Sequence, residues 1–193
     1  MSRTIAIIGG GAAGIFGAIA AAAVDRSAKV IVLEATGQPL DKVRISGGGR
    51  CNVTHHCFDP AELVKSYPRG HRELRSVFSR FQPRDTVDWF ENHGVTLKAE
   101  PDGRMFPVTD DSATVVECLL NSAQELGVEL RRECRVKAVT SLGDVGTRRQ
   151  FEIDIHGREP LACDRLLIAT GSSPQGYRFA ESLGHSVVPC VPS

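Results

Sequence analysis

The chain has 193 residues, of which 41% are hydrophobic and 24% are charged, and these proportions are those of an ordinary globular domain. They argue against intrinsic disorder, and the length favours one substantial domain with a single core. The 23 basic side chains balance 23 acidic ones, so no overall field attracts nucleic acid or an anionic membrane, and we expect neither as a partner.

The first predicted elements are a strand, a turn, a helix and a second strand. Residues 5–8 form a short apolar run that is stopped by three glycines, and an alanine-rich segment follows up to Val24. Residues 29–34 repeat the strand pattern, and residues 30–33 are apolar on both faces of a pleat, which is typical of a parallel strand covered by helices. Together these segments predict a βαβ unit.

The uncharged stretch 5–24 also has features of a secretion signal or a membrane helix. Five glycines interrupt it and favour the strand, turn and helix instead. The cysteines contain no C-x-x-C pair, which argues against a zinc ribbon or a thioredoxin motif and fits a reducing cytoplasm. We therefore expect a cytoplasmic protein without a membrane segment. The six cysteines are Cys51, Cys57, Cys118, Cys134, Cys163 and Cys190.

The remaining predicted elements alternate between helices and β segments. Residues 35–57 lack a sustained apolar period, and so long a loop in a compact domain is usually functional. The β segments near the end of the chain predict antiparallel strands that join the parallel sheet. In chain order we expect two or three helices over 60–93 with Pro83 starting a new one, a hairpin of strands 95–98 and 104–108, a crossover helix capped by Asp110 or Asp111 and ending at Gly127, β segments at 128–139, 151–155 and 161–169 with a turn at 143–146, a helix at 177–183 and a strand at 186–188.

A glycine motif, Gly9-x-Gly11-x-x-Gly14, lies directly after the first strand and opens the first helix, with Ala13 inside it. Glycines there allow a tight turn and let a diphosphate approach the N–H groups at the helix start. Glu34 ends the second strand about twenty residues after Gly14, where its carboxylate can accept both hydroxyls of a ribose. The sequence therefore predicts a dinucleotide site for a ribose without a 2′-phosphate.

A second glycine cluster, Gly47-Gly48-Gly49, lies in a basic and polar stretch that includes Lys42 and Arg44. Successive backbone N–H groups of such a cluster can form a nest for an anion, and the absent side chains let a planar ring lie close. We expect this loop to bring a short segment to one end of the dinucleotide. The segment consists of Gly48, Gly49, Arg50, Cys51 and Asn52.

The apolar strand at residues 166–168 ends in the small residues Ala169, Thr170 and Gly171. Ligands of open α/β sheets lie outside the carboxyl ends of the strands, so this turn and the first glycine motif are expected to face the same crevice. The small side chains keep that crevice open.

Cys51 and Cys57 are the nearest candidates for a redox dithiol. Flavin disulfide reductases have a C-x4-C pair on a helix, whereas the C-x5-C spacing here does not put both sulfurs on one helical face. A dithiol reductase is therefore a minor alternative.

The adjacent His55 and His56 point apart and have no carboxylate at ligand spacing, so no metal is predicted. The arginines between residues 69 and 84 are interpreted as the solvated face of an amphipathic helix, with contacts to phosphate as the alternative.

With these features the sequence resembles the BaiN-like flavoproteins, also called aminoacetone-oxidase-type FAD-binding enzymes. The resemblance implies an α/β fold with a Rossmann-like, glutathione-reductase-type FAD-binding domain, whose central parallel sheet has an added antiparallel β segment. It also implies that Glu34 meets the adenosine ribose and that the backbone of Val136, in the strand after the crossover helix, meets the adenine. It runs from Ile5 to the end of the chain and rests on Lys42-x-x-x-Ser46-Gly47-Gly48-Gly49-Arg50-Cys51-Asn52-Val53-Thr54, Gly103-Arg104-Met105-Phe106-Pro107-Val108, Ala169-Thr170-Gly171 and Leu183-Gly184-His185.

Members of this family are NAD(P)/FAD-dependent oxidoreductases of poorly defined substrate. The resemblance thus implies bound FAD, NAD(P)H as a transient electron donor, and a small-molecule substrate or electron acceptor. Because the flavin supplies the electron chemistry, no catalytic residue is assigned. A nicotinamide cofactor site and a non-catalytic FAD-binding module are the alternatives.

The family also continues into a second domain and returns with a segment along the flavin ribityl chain, neither of which these 193 residues contain. We therefore expect residues 1–193 to be the N-terminal FAD-binding domain of a larger two-domain flavoenzyme. We also expect association, as an oligomer, through the face left by the second domain.

Overall fold

The computed structural model describes residues 2–145 and 148–189, and over this range the chain divides into two compact units. The parallel-sheet unit comprises residues 2–42 and 119–188, and the insert unit comprises residues 43–118 with residue 189. The chain thus leaves the first unit and later returns to it. The expectation of one FAD-binding domain over residues 1–193 stays a prediction.

A four-stranded parallel sheet forms the centre of the parallel-sheet unit. All its pairings are parallel, and Ala6 lies between Ile31 and Leu166 on the neighbouring strands. Residues 30–33 are all buried, as the sequence pattern predicts for a strand covered on both faces. In the order in which they pair, the strands are β10 (Arg165–Ile168), β1 (Thr4–Ile8), β2 (Lys29–Leu33) and β6 (Glu129–Arg131).

Helix α1 (Ala12–Val24) connects β1 to β2 and completes the predicted βαβ unit. It buries small and branched residues at helical spacing, which are Gly14, Ile15, Ala18, Ile19 and Ala22. Within residues 2–145 and 148–189, no helix is long and apolar enough to span a membrane.

A separate antiparallel sheet packs with the parallel sheet in the main core of this unit. It consists of β7 (Val136–Val145), β8 (Arg148–Ile155) and β9 (Leu161–Cys163). Helix α7 (Pro174–Ser182) adds Phe179 to the same core. The predicted fold class, an α/β fold with a central parallel sheet and added antiparallel strands, is confirmed. The buried core residues are Ala6, Ile8, Ile31, Leu33, Cys134, Val136, Val139, Ile153, Ile155, Cys163 and Phe179.

Two predicted strands in this unit have wrong boundaries, and a third does not form. The strand expected at 128–139 is interrupted, so Val136 begins β7 instead of lying in β6, the strand after the crossover helix. The strand expected at 161–169 divides at Asp164, whose carboxylate accepts the Thr4 N–H at 2.8 Å, into antiparallel β9 and parallel β10. Residues 186–188 form no strand. Apolar alternation does not reveal these breaks, because both halves of a bent strand keep the same period of two.

The insert unit contains the predicted helices and hairpin. The loop expected over 35–57 is wrong in part, because it includes a short helix, a 3-10 turn and a short strand. Strand β5 pairs antiparallel with both β3 and β4. The chain enters the insert unit within α2 (Asp41–Ile45), whose first two residues still belong to the parallel-sheet unit. The elements that follow are the 3-10 turn Ser46–Gly49, β3 (Thr54–His55), α3 (Pro60–Leu63), the 3-10 turn Val64–Ser66, α4 (His71–Phe78), α5 (Pro83–Asn92), β4 (Leu97–Ala99) and β5 (Arg104–Pro107).

Helix α6 (Ser112–Glu125) begins in the insert unit, ends in the parallel-sheet unit and leads into β6, so it is the predicted crossover helix. Of the two predicted caps, Asp111 is the one used, because its Oδ1 accepts the Ala113 N–H at 2.8 Å. Asp110 has a left-handed φ of 54° and pairs with Lys98. Gly146 of the predicted turn and Cys190 lie outside the described residues.

Candidate functional site

The first glycine motif makes the predicted turn between β1 and α1. Gly9 has a φ of 112°, and a Cβ at this residue would lie 2.4 Å from the carbonyl oxygen of Ala169. A Cβ on Gly14 would lie 1.9 Å from the carbonyl oxygen of Gly9. Both positions therefore require glycine, the first for its backbone conformation and both for close backbone approach.

The N-terminus of α1 is open and uncapped. Gly11 is the N-cap residue and has no side chain to accept the first N–H groups, and no acidic residue lies in the first turn. In the described part of the chain, no further atom lies within 4 Å of the point where a Gly11 Cβ would be, and Ala12 and Ala13 are exposed. The free N–H groups and the positive end of the helix dipole thus face open space, which is the chemistry that binds a diphosphate.

Glu34 lies beside this turn, directly after β2. Its Oε2 accepts the Gly10 N–H at 2.7 Å, and its Oε1 accepts both the N–H and the hydroxyl of Thr36 at 2.8 Å. A Cβ on Gly10 would lie 2.9 Å from Glu34 Oε2, so the glycine makes room for the carboxylate. All three donors are uncharged, and the two carboxylate oxygens have further lone pairs for the hydroxyls of a ribose.

The end of β10 lies against the same turn. The Ala169 N–H donates to the Ile8 carbonyl at 2.8 Å, and Lys42 Nζ donates to Ser172 Oγ at 2.9 Å, beside Gly171. The carboxyl ends of β1, β2 and β10 therefore meet at one edge of the sheet. The predicted residues that share this edge are Gly9, Gly11, Ala13, Gly14, Glu34, Lys42, Ala169, Thr170 and Gly171.

A cavity of about 160 Å³ opens beside Glu34. Val136 belongs to its lining although the expected strand was wrong, because the Cys134 N–H donates to the Glu34 carbonyl at 2.8 Å and holds the start of β7 against the end of β2. The base of a nucleotide whose ribose meets Glu34 has this cavity next to it. The lining consists of Ile8, Gly9, Leu33, Glu34, Ala35, Cys134, Arg135, Val136, Thr170, Ser173, Gln175 and Phe179.

The second glycine cluster forms a left-handed turn in the insert unit. Gly47, Gly48 and Gly49 have φ values of 57°, 71° and 89°. A Cβ on Gly47 would lie 2.7 Å from the Phe106 ring, whereas among the described residues nothing lies within 4 Å of the corresponding points on Gly48 and Gly49. The turn thus packs on one side and leaves open backbone on the other, as an anion nest or a ring platform requires.

Arg50, next to this turn, is held in an ion-pair network of its own unit. Its guanidinium pairs with Glu100, lies 3.6 Å from Asp110 and stacks on the Phe106 ring at 3.9 Å. The hydrogen bond to Glu100 raises the pKa of Arg50. The charge of Arg50 is therefore balanced by carboxylates, and the network anchors the glycine turn to β5. Asn52 beside it is exposed.

The cysteines of the C-x5-C pair are both free thiols. Cys51 is buried with a left-handed φ of 63°, and burial raises its pKa. A buried thiol with a raised pKa is a weak nucleophile at neutral pH, so the burial of Cys51 counts against a redox dithiol.

His55, a candidate metal ligand by residue type, has its Nε2 3.2 Å from the Asp102 carbonyl oxygen. Within the described ranges, no group of three His, Cys, Asp or Glu side chains is placed to hold a metal ion.

Three residues at the site were missed by the sequence analysis: Gly10 and Thr36, which hold Glu34, and Gln175, whose Nε2 donates to the Val136 carbonyl at 2.8 Å. Thr36 carried a weak local signal, since a side-chain acceptor often binds the N–H two residues further on. Gly10 and Gln175 carried no local signal, because their hydrogen-bond partners are 24 and 39 residues away.

Comparison with known families identifies the fold. The HI0933-like protein Rossmann domain matches residues 3–191. The chain belongs to this family. It is 32% identical over 197 residues to the 3-dehydro-bile acid delta(4,6)-reductase of Clostridium scindens, and 32% identical over 192 residues to the ribosomal RNA dihydrouridine synthase of Escherichia coli. These alignments cover 98% and 95% of this chain but 46% and 45% of the relatives, so the chain spans less than half their length.

Two solved structures share the fold at low sequence identity. THI4 of Thermovibrio ammonificans has a TM-score of 0.63 at 13% identity, covering 96% of this chain and 64% of that one. The 3-ketosteroid-delta4-(5alpha)-dehydrogenase of Rhodococcus jostii RHA1 has a TM-score of 0.66 at 17% identity, covering 89% and 46%. The family match confirms the resemblance to BaiN-like flavoproteins and the general class, a Rossmann-type domain of an FAD-dependent oxidoreductase family.

Proposed function

We propose that the chain holds FAD along the carboxyl edge of its parallel sheet, as the cofactor-binding region of an FAD-dependent oxidoreductase. One observation carries the proposal: the open N-terminus of α1, the carboxylate of Glu34 and the cavity leading to Val136 lie side by side in one unit. The N–H groups after Gly11 then bind the diphosphate, Glu34 accepts the ribose hydroxyls, and the Val136 backbone meets the adenine.

The second glycine turn supports FAD over NAD. In this proposal the segment from Gly48 to Asn52 lies on the flavin side, where open backbone suits a planar ring. Lys42 and the small residues after β10 border the diphosphate within the parallel-sheet unit. FAD, when bound, supplies two-electron transfer, while the residues of this chain bind and orient it.

Binding of FAD is tested with the purified chain. We expect a yellow protein, or one that takes up FAD with quenching of the flavin fluorescence, and a lower Kd for FAD than for NADH in calorimetry. Binding of NADH without any affinity for FAD would contradict the proposal and favour the nicotinamide site.

We further propose that the reaction is a reduction of the substrate, with NAD(P)H as the transient electron donor. The support is that the two relatives above are named as a reductase and as a dihydrouridine synthase. Anaerobic mixing of the FAD-loaded protein with NADH or NADPH should bleach the flavin absorbance, and an acceptor should restore it. Bound FAD that neither nucleotide reduces would favour a non-catalytic module for this chain.

A structured RNA is the second candidate substrate, and the insert unit carries the observation that favours it. Arg69, Arg72, Arg75 and Arg80 are exposed and, within the described residues, form no ion pair. Helix α4 lies among them and has no buried residue. The local charge is thus available to phosphates although the chain as a whole is neutral.

RNA binding is tested by titrating ribosomal RNA fragments at several salt concentrations. If RNA is the substrate, the double variant Arg72→Gln/Arg75→Gln should bind more weakly and with a shallower salt dependence than the wild type. Equal binding by both proteins, or none by either, would favour a small-molecule substrate and the absence of a nucleic-acid partner that the net charge predicts.

A further inference from the structure

Gln175 makes a hydrogen bond from helix α7 to the start of β7. It is the second residue of α7, and its Nε2 donates to the Val136 carbonyl at 2.8 Å. The helix is already anchored by Phe179, which is 5% exposed, and by Ser182, whose Oγ lies 3.4 Å from the Val139 carbonyl. The bond of Gln175 is therefore one of several contacts that hold α7 against β7 and the core.

Both partners of this bond line the cavity beside Glu34. The carbonyl oxygen of Val136 is a backbone acceptor on that wall, and the carboxamide of Gln175 presents an NH₂ group to it. The exocyclic amine of adenine is also an NH₂ donor attached to a planar conjugated group. The side chain of Gln175 thus makes, within the protein, the hydrogen bond that an adenine in this cavity would make.

We propose that Gln175 is a specificity-determining residue that competes with adenine for the Val136 carbonyl. Both residues line the cavity, so the carboxamide lies on the cavity side of that oxygen, where the amine of an adenine would also lie. Adenine binding therefore displaces the carboxamide, and one hydrogen bond is exchanged for another instead of being gained. The competition lowers the affinity for an adenine nucleotide but not for a hypoxanthine nucleotide, because the hypoxanthine carbonyl accepts the carboxamide N–H instead of displacing it. The inference rests on the proposed FAD site and names the residue that sets base selectivity there.

The test compares ADP with IDP, which differ at this group of the base. Isothermal titration gives both Kd values for the wild type, for Gln175→Ala and for the control Gln124→Ala, which changes an exposed glutamine of α6 in the same unit. We expect Gln175→Ala to bind ADP about fivefold more tightly, the effect of one net hydrogen bond, with no gain in affinity for IDP. The control should leave both values unchanged.

Other outcomes overturn the proposal. Weaker ADP binding by Gln175→Ala would show that Gln175 contacts the base as a ligand. Equal shifts for ADP and IDP, or no shift, would leave it with a structural role only. Gln175→Met, which keeps the length of the side chain without the N–H donor, should also tighten ADP binding and not IDP binding.

A measurement on the wild type does not depend on any variant folding. In a ¹⁵N-labelled sample the side-chain NH₂ signal of Gln175 should move toward the position of a solvated amide when ADP is added, and it should not do so when IDP is added. An unmoved signal at saturating ADP contradicts the inference alone. A wild type that binds neither FAD nor ADP contradicts the proposed function itself.

Discussion

The two glycine turns of this molecule require glycine for different physical reasons. In the parallel-sheet unit, Gly9 and Gly14 are required because other backbone atoms lie where their side chains would be. In the insert unit, Gly48 and Gly49 have left-handed φ values, and no other atom of the described residues lies within 4 Å of where their side chains would begin. The first turn is therefore rigid by packing, while the second depends on backbone conformation and on the contacts made by its neighbours.

The charged residues beside the two turns differ in the same way. Glu34 is held by uncharged N–H and hydroxyl donors, so its carboxylate remains available to a polar ligand. Arg50 is paired with Glu100 and Asp110 and stacked on Phe106, so its charge is used within the protein. The role of a charged side chain near a predicted site is thus better inferred from its hydrogen-bond and ion-pair partners than from its position in a motif.

The largest effect is expected at the first turn. Gly14→Ala places a methyl group 1.9 Å from the Gly9 carbonyl oxygen, a backbone atom that cannot move without opening the turn. We expect a loss of about 3 kcal/mol in the free energy of unfolding and the loss of FAD binding. Urea unfolding and flavin fluorescence measure the two effects.

The matched control for this variant is Gly11→Ala, which adds the same methyl group in open space. It should change the free energy of unfolding by at most about 1 kcal/mol, the cost of a poorer N-cap, while weakening FAD binding where the diphosphate lies. Equal destabilisation by the two variants would show that the turn does not distinguish packing glycines from ligand-facing ones.

The next effect is expected at Glu34. Glu34→Ala removes charge-assisted hydrogen bonds to the ribose, each worth roughly 1.5 to 3 kcal/mol before water compensates, so the Kd for FAD should rise at least tenfold. Thr36→Val, which removes one hydroxyl that orients the carboxylate, should raise it by a few-fold only. Glu181→Ala, at an exposed glutamate of α7, is the control. An unchanged Kd for Glu34→Ala would refute the ribose assignment.

A smaller effect is expected at Arg50. Arg50→Ala removes one of the two cationic partners of Glu100 and of Asp110, since Arg104 and Lys98 remain beside them. The melting temperature should therefore fall by a few degrees while the Kd for FAD changes less than it does in Glu34→Ala. The opposite result, an unchanged melting temperature with a large loss of FAD or a shifted flavin spectrum, would place Arg50 against the cofactor and remove the contrast with Glu34.

The smallest effect is the pH dependence of the same network. Lys98, and after it Arg50, lower the pKa of Asp110 below its usual 3.8. Because the folded-state pKa is the lower one, the stabilisation is present above about pH 4 and is lost as the pH falls through the folded-state pKa. Asp110→Asn should therefore lower the melting temperature at pH 7, and its difference from the wild type should shrink as the pH falls below about 4. A difference that is the same at pH 7 and at pH 3 would point to packing instead of charge.

The sequence predicts most of the parallel-sheet unit because its signals are local. A buried apolar run, a glycine turn and a helix with small residues on one face are contiguous, and Glu34 follows the second strand directly. The breaks at 132–135 and at Asp164 depend instead on which sheet each half-strand joins. Periodicity carries no information about that choice.

The remaining parts of the site depend on contacts between distant residues. Gln175 reaches Val136, and Arg50 reaches Glu100, across 39 and 50 residues. No spacing rule connects such pairs, so the sequence indicates a polar side chain without indicating its partner. That Arg50 lies next to a ligand-binding loop stays a prediction of the motif, and its partners in the fold are carboxylates of the same unit.

The most direct test of the account is an ADP titration of the ¹⁵N-labelled chain. If the diphosphate lies at the start of α1 and the ribose at Glu34, the largest amide shifts should appear at residues 10–13, at Thr36 and at Val136. The amides of residues 47–51 should move little, because ADP lacks the flavin. Shifts confined to residues 47–51, or no binding of ADP, would contradict the assignment of the dinucleotide to the edge of the parallel sheet.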